Sequence, residues 1–203
     1  MSFYGFARVV VTSFFRTAFR VQVEGKENIP SETNFVLCAN HQSNLDPPLL
    51  GTCFPMRLRY MAKEELFHNK LFAKLIRSLG AFPIKRGKSD VGALRAAVKM
   101  LRNGESMVIF PEGGRSHKGY MRRGKQGAAL IAAKAGVNIL PVGIQGRYRL
   151  FGRLNVRIGK PIILEEYFGE KLESSVLQEI TDQTIMPAIA ELAGVKTYEN
   201  RNS

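Results

Sequence analysis

The sequence predicts an α/β fold: a single layered domain over residues 21–203, with a mainly parallel central sheet flanked by helices. An amphipathic helix over residues 1–20 precedes it. Three observations lead there. The chain has 203 residues, 45% of them hydrophobic and 23% charged, which suits one domain with a sizeable core. Short apolar runs alternate with longer segments of helical period, the pattern of a sheet layered with helices. Two of the helical segments end at a glycine, Gly104 and Gly136, where a left-handed cap is easily made.

The elements follow in order. "FYGFARVVVTSFFRTAFRV" has no acidic residue before Glu24. Arg8, Thr12, Arg16 and Arg20 recur every four residues, opposite Phe3, Phe6, Val10 and Phe14. A basic stripe beside an aromatic face is the pattern of a helix lying in a membrane interface. "VQVEG" and "NFVLCAN" read as strands, the second fully buried, and a helix follows Asp46. "LRYMAK" reads as a strand, "NKLFAKLIRSLG" as a helix, and "AFPIKR" as a short edge or irregular strand because of Pro83. "VGALRAAVKMLRNG" is a helix, "SMVIF" a strand, "GAALIAAKAG" a helix and "NILPVGIQG" a strand broken by Pro141. "NVRIGKPI" is a further strand, and residues 173–193 form a closing helix with a kink at Pro187. No apolar span of about 20 residues exists to cross a membrane.

Thirty Lys and Arg against 17 Asp and Glu leave a net charge of +13. The bias points to an anionic partner: nucleic acid, a phosphorylated substrate, an anionic membrane or an acidic carrier protein. From Gly113 to Leu164 there are eleven basic residues and no acidic one, so one face is strongly positive. Cys38 and Cys53 match no metal spacing and no disulfide framework and read as buried thiols.

In "NHQSNLD", residues 40–46, His41 follows a strand and Asp46 precedes two prolines. Asp before Pro is a strong helix start, so Asp46 reads as an N-cap. One carboxylate oxygen can cap while the other accepts the imidazole Nδ1–H, leaving Nε2 free as a base. In "FPEGGRS", residues 110–116, Gly113 and Gly114 admit a ligand close to the backbone, and Arg115 offers a planar fork for phosphate. Glu112 would orient that guanidinium or a substrate hydroxyl. "FPIKR" sets Lys85 and Arg86 at a strand end, and "ILPV", residues 139–142, is an apolar run that would line a channel. "GYMRRGKQ" fails as a nucleotide loop because Gln126 stands where a magnesium-binding hydroxyl is needed. "GRSHK" lacks the second glycine of a serine nucleophile elbow. His68 reads as solvent-facing, and His117 adjoins the Arg115 loop.

These four stretches, in this order, resemble the glycerolipid acyltransferase family typified by 1-acyl-glycerol-3-phosphate acyltransferases. N-H-x-x-x-x-D matches "NHQSNLD", the strand ending in arginine matches "FPIKR", F-P-E-G-T-R-S matches "FPEGGRS", and the run ending in Pro matches "ILPV". Lys125, Gly127 and Ala128 match a downstream K-x-G-A, and "VEGKENIP" is similar to the flank before the first motif. The likeness covers about residues 21–163. Gly114 replaces the commoner Thr, and Lys85 stands where many members carry an acid.

The resemblance implies a His41–Asp46 dyad that activates the sn-2 hydroxyl of lysophosphatidic acid for attack on an acyl thioester. Arg86, Glu112, Gly113, Gly114, Arg115 and Lys125 would form the acceptor pocket. No cofactor, metal or covalent acyl-enzyme is expected; acyl-CoA or acyl-carrier protein would be the co-substrate. It implies partnership with an anionic membrane at the cytoplasmic face of a bacterial cell, with Arg57, Arg59, Lys63, Phe67, Lys70 and Phe72 adding to the surface. Another lysophospholipid or glycerol phosphate as acceptor remains open at this stage. A nucleic-acid-binding protein would fit the charge but gives His41 no role.

Overall fold

A computed structural model describes residues 3–84, 91–116 and 119–198. The strands are β1 (Arg20–Glu24), β2 (Phe35–Ala39), β3 (Leu58–Lys63), β4 (Ala81–Ile84), β5 (Ser106–Ile109), β6 (Asn138–Gly146) and β7 (Arg153–Ile158). They form one sheet in the order β1–β7–β6–β2–β5–β3–β4. All neighbours are parallel except β6 and β7, which are joined by a short loop and run antiparallel. The α-helices are α1 (Phe3–Ala18), α2 (Asp46–Cys53), α3 (Lys70–Ser78), α4 (Val91–Arg102), α5 (Gly127–Ala135), α6 (Ser174–Glu179) and α7 (Met186–Ala193).

Successive side chains of β2 face opposite sides, which splits the core in two. Phe35, Leu37 and Ala39 pack with Phe15, Leu49, Leu50 and Phe54 of the α1–α2 side. Val36 and Cys38 pack with Ala97, Ala129, Ala132 and Ile189 of the α4, α5 and α7 side. Burial lifts the Cys38 thiol far above its ordinary range and the Cys53 thiol to about 11, so both are inert. The helices therefore cover both faces, as alternation of element types predicts.

Two details differ from expectation, at Pro141 and before Pro187, while the edge position expected of Pro83 is found. Pro141 does not break its strand: β6 runs through it, paired with Cys38 of β2. Its missing N–H faces the β7 side, where the ladder is already interrupted. There Ile139 bridges Ile162, and regular pairing begins only at Val142 with Ile158. Pro83 sits in β4, an edge strand, where no donor is lost to the ladder. The closing helix is not one continuous α-helix up to Pro187. A π-helical segment, Ile180–Ile185, joins α6 to α7 and absorbs the proline, which falls at the start of α7.

α1 also departs from the expected stripe. It packs through Ala7, Phe15 and Ala18. Arg8 is tied down, donating to the carbonyls of Phe54 (2.6 Å) and Pro55 (2.9 Å) beyond α2, and Arg20 lies in β1. Phe3, Phe6, Val10 and Phe14 are about half exposed. This face thus stays half exposed, although Phe14 makes edge contacts with Phe15 and Phe19. Among the described residues no helix is long and apolar enough to cross a membrane.

Candidate active site

The parallel strands β2 and β5 are neighbours, with Leu37 beside Val108, so the loops after them leave the same edge of the sheet together. The first carries His41 and the second Glu112. Asn40 fastens its loop to β6: its Nδ2 donates to the Ile144 carbonyl (3.0 Å), and the Ile144 N–H donates back to Oδ1 (2.7 Å). The main chain of His41 is held at both groups by the other loop. Its N–H donates to Glu112 Oε1 at 2.8 Å, and its carbonyl accepts from the Ser116 N–H at 2.8 Å.

His41 Nδ1 lies 2.8 Å from Asp46 Oδ2. The same oxygen accepts the N–H groups of Gln42 and Ser43, each at 2.7 Å. Asp46 Oδ1 accepts from the Tyr148 hydroxyl at 2.6 Å. An oxygen receiving two backbone donors accepts the imidazole bond as well, so Nδ1 carries the proton and Nε2 is the free lone pair. The expected capping role is corrected here. Asp46 is the first helical residue, Leu45 is the cap, and no cap bond from a side chain forms. The carboxylate folds back over its own loop instead. His41 stacks on Phe110, centroids 4.1 Å apart and planes at 21°, which fixes the second axis of the ring. Burial, followed by the neighbouring Asp46 charge, pushes the Tyr148 phenol well above its usual range, so it acts as a neutral donor.

Glu112 turns both carboxylate oxygens to backbone donors. It is 1% exposed, and its second oxygen accepts the Arg122 N–H at 2.8 Å. Burial raises its pKa, opposed by the bonds from the N–H groups of Arg122 and His41. The expectation that it orients Arg115 or a hydroxyl therefore gives way to a tie between three backbone segments.

A cavity of about 830 Å³ opens beside His41. Gly113, Gly114, Arg115 and Arg122 line one part of it, and Leu58, Met61, Phe72, Leu75 and Leu79 line another. The cavity lining therefore combines basic and apolar side chains with the imidazole. Gly113 has φ +64°, and the Lys125 stem lies over it, so a Cβ there would stand 2.8 Å from Lys125 Cε. Residues 139–142 do not contribute to the lining, contrary to the channel expected of them. In the basic segment 57–74, Arg59 pairs with Glu105 and Arg57 donates to the carbonyls of Arg77 and Ser78, while Lys63 and Phe72 line the cavity. His68 is exposed. Lys85, Arg86 and His117 lie outside the described residues. Among the described residues no three His, Cys, Asp or Glu side chains converge as metal ligands.

A model of the family described as Acyltransferase matches residues 20–145, a span that includes both motif loops. The chain belongs to the acyltransferase family. Its relatives include the 1-acyl-sn-glycerol-3-phosphate acyltransferase of Bacillus subtilis, 33% identical over 148 residues, 70% of this chain and 73% of that one. The Streptococcus pneumoniae protein of the same name is 34% identical, with 69% of this chain aligned; the chain spans about half (54%) of its length. The crystal structure of the 1-acyl-sn-glycerophosphate (LPA) acyltransferase PlsC from Thermotoga maritima superposes with TM-score 0.70 at 32% identity, covering 93% of this chain and 77% of that one. For this acyltransferase, sequence reasoning missed Tyr148, Asn40, the Phe110 stack and Arg122. Tyr148 is 102 residues from Asp46 and carried no local signal.

Proposed function

We propose that the chain transfers an acyl group from an acyl thioester to the sn-2 hydroxyl of 1-acyl-glycerol-3-phosphate, giving phosphatidic acid. The observation that carries the reading is the His41–Asp46 pair beside a cavity lined by both basic and apolar side chains. His41 Nε2 takes the hydroxyl proton as the oxygen attacks the thioester carbonyl. The tetrahedral intermediate collapses, the C–S bond breaks, and the imidazolium returns its proton to the departing thiolate. Asp46 supports the imidazolium charge, and Arg115, with Lys125 over Gly113, draws the phosphate. General-base assistance of this kind contributes about 10²–10⁴-fold. Acyl-CoA and acyl-carrier protein both supply the thioester this chemistry needs, with no further cofactor. The relatives' names support the acceptor.

The reaction takes place at a membrane in this reading, at the cytoplasmic face. The exposed apolar face of α1 supports it, as do Leu150 and Phe151, 70% and 64% exposed between Arg147, Arg149 and Arg153. Such a surface meets acyl chains with its apolar residues and anionic head groups with its arginines. The test is acyl transfer on anionic vesicles with each donor in turn, His41→Ala in parallel. Phosphatidic acid from the wild type and a loss of about 10²-fold or more in the variant is expected. An active His41→Ala protein refutes the base assignment, and a wild type that ignores lysophosphatidic acid refutes the acceptor.

A further inference from the structure

We propose that Arg122 binds the acceptor's phosphate, using the space that Gly114 leaves open, and thereby selects a phosphate monoester head group. The inference rests on the acceptor reading above and names a residue which that reading did not include.

Gly114 has no side chain where the family pattern commonly has threonine. A Cβ built on it would collide with Arg122 Nη1. The guanidinium therefore lies against the glycine backbone, in the position a side chain would occupy. Gly113, Gly114, Arg115, Arg122 and His41 all line the same cavity. The main chain of Arg122 is not free to drift either. Its N–H is held by Glu112 Oε2 and that of His41 by Oε1, both at 2.8 Å. One buried carboxylate thus fixes the base and this arginine relative to each other. Among the described residues no ion pair engages the Arg122 guanidinium. Arg122 falls inside "GYMRRGKQ", which fails as a nucleotide loop.

A phosphate monoester carries about −1.5 to −2 charge at neutral pH, and esterification to a second alcohol leaves only about −1. A guanidinium meets phosphate oxygens through two parallel N–H bonds. Two such groups, Arg115 and Arg122, match the monoester's charge and leave one guanidinium under-used by a diester. Hydrogen bonds of this charge-assisted kind correspond to about 10–100-fold in affinity.

The experiment compares steady-state kinetics of the full chain on 1-acyl-glycerol-3-phosphate and on 1-acyl-glycerophosphoglycerol, a diester, with one acyl-CoA. Arg122→Ala should raise KM for the monoester about 10–100-fold, leave KM for acyl-CoA unchanged, and lower the monoester-to-diester ratio of kcat/KM. Gly114→Thr should reproduce that result. Gly114 has no positive φ among the described residues, so its backbone accepts a side chain, and the Cβ expels the guanidinium. The double variant should be no worse than the more affected single one. The proposal is overturned if Arg122→Ala matches the wild type, if only kcat falls, or if the two substitutions add. A wild type that acylates the diester and not the monoester refutes the acceptor reading itself, and this inference with it.

Discussion

Asp46→Asn tests whether the carboxylate supports charge on His41 or merely shapes a loop. Asparagine keeps one oxygen and replaces the other with an amide nitrogen. The arrangement that preserves most contacts sets its oxygen at the Oδ2 position, where His41 Nδ1 and the N–H groups of Gln42 and Ser43 converge at 2.7–2.8 Å. Its Nδ2 then faces the Tyr148 hydroxyl, which can turn to accept. The flipped rotamer would set two backbone donors against an NH₂ group, at about 1–3 kcal/mol each. The fold should therefore survive with a stability loss of about 1 kcal/mol. What disappears is the negative charge beside the imidazolium. Two unit charges 4 Å apart interact by about 4 kcal/mol at an effective dielectric of about 20. That is about 10³-fold in rate, within the range of general-base catalysis. Thiol release from acyl-CoA in the presence of lysophosphatidic acid measures kcat, and urea unfolding checks the fold. A loss smaller than about tenfold in a stably folded variant would refute the electrostatic role and leave Asp46 as a loop tie.

Tyr148→Phe removes the donor on Asp46 Oδ1. We expect kcat to fall about 3–10-fold with KM for both substrates unchanged; an altered KM would show that Tyr148 touches substrate. Glu112→Gln leaves one carbonyl oxygen for two N–H groups and should lower stability by about 1–3 kcal/mol in urea unfolding. The same carboxyl has a pH signature. Burial lifts its pKa above the ordinary 4.5, so the folded protein keeps a proton that the unfolded chain has lost. Its contribution to stability is full below 4.5 and declines as pH rises through the raised value. The wild-type advantage over Glu112→Gln should narrow on going from acid to neutral pH, and an advantage that widens contradicts the sign. Phe6→Ser with Phe14→Ser should weaken binding to anionic vesicles about 30–150-fold, since each half-exposed ring contributes roughly 1–1.5 kcal/mol of transfer free energy. Flotation of the variant equal to that of the wild type removes α1 as the anchor.

What the sequence made legible was local. The buried run of β2, the glycine-capped helices and the edge position of Pro83 each follow from a few consecutive residues. The His41–Asp46 pair was legible because five positions separate its members and the loop between them is short. What was hidden depends on chain separation. Asp46 before two prolines has the form of a helix cap, and only the assembled loop shows its oxygens turned back onto Gln42 and Ser43. Tyr148 reaches Asp46, and Asn40 reaches Ile144, only because β6 lies beside β2. Glu112 reads as a ligand because it stands three positions before Arg115 in one short loop. Sequence adjacency says nothing of depth, and the glutamate is buried while the arginine is exposed.

That difference in depth separates two jobs within the site. The dyad is fixed by buried bonds to Glu112, Ser116, Tyr148 and the loop's own N–H groups, all set by three neighbouring strand ends. A change there disturbs the sheet edge as well as the chemistry. The basic lining of the cavity comes from Arg115 and Arg122, with Lys125 nearby over Gly113; all three residues are exposed and adjoin glycines. Substitutions there shift a guanidinium or ammonium without touching a buried bond. On the reading proposed above, a side chain at Gly114 would shift the Arg122 guanidinium while the buried bonds of His41 stay in place.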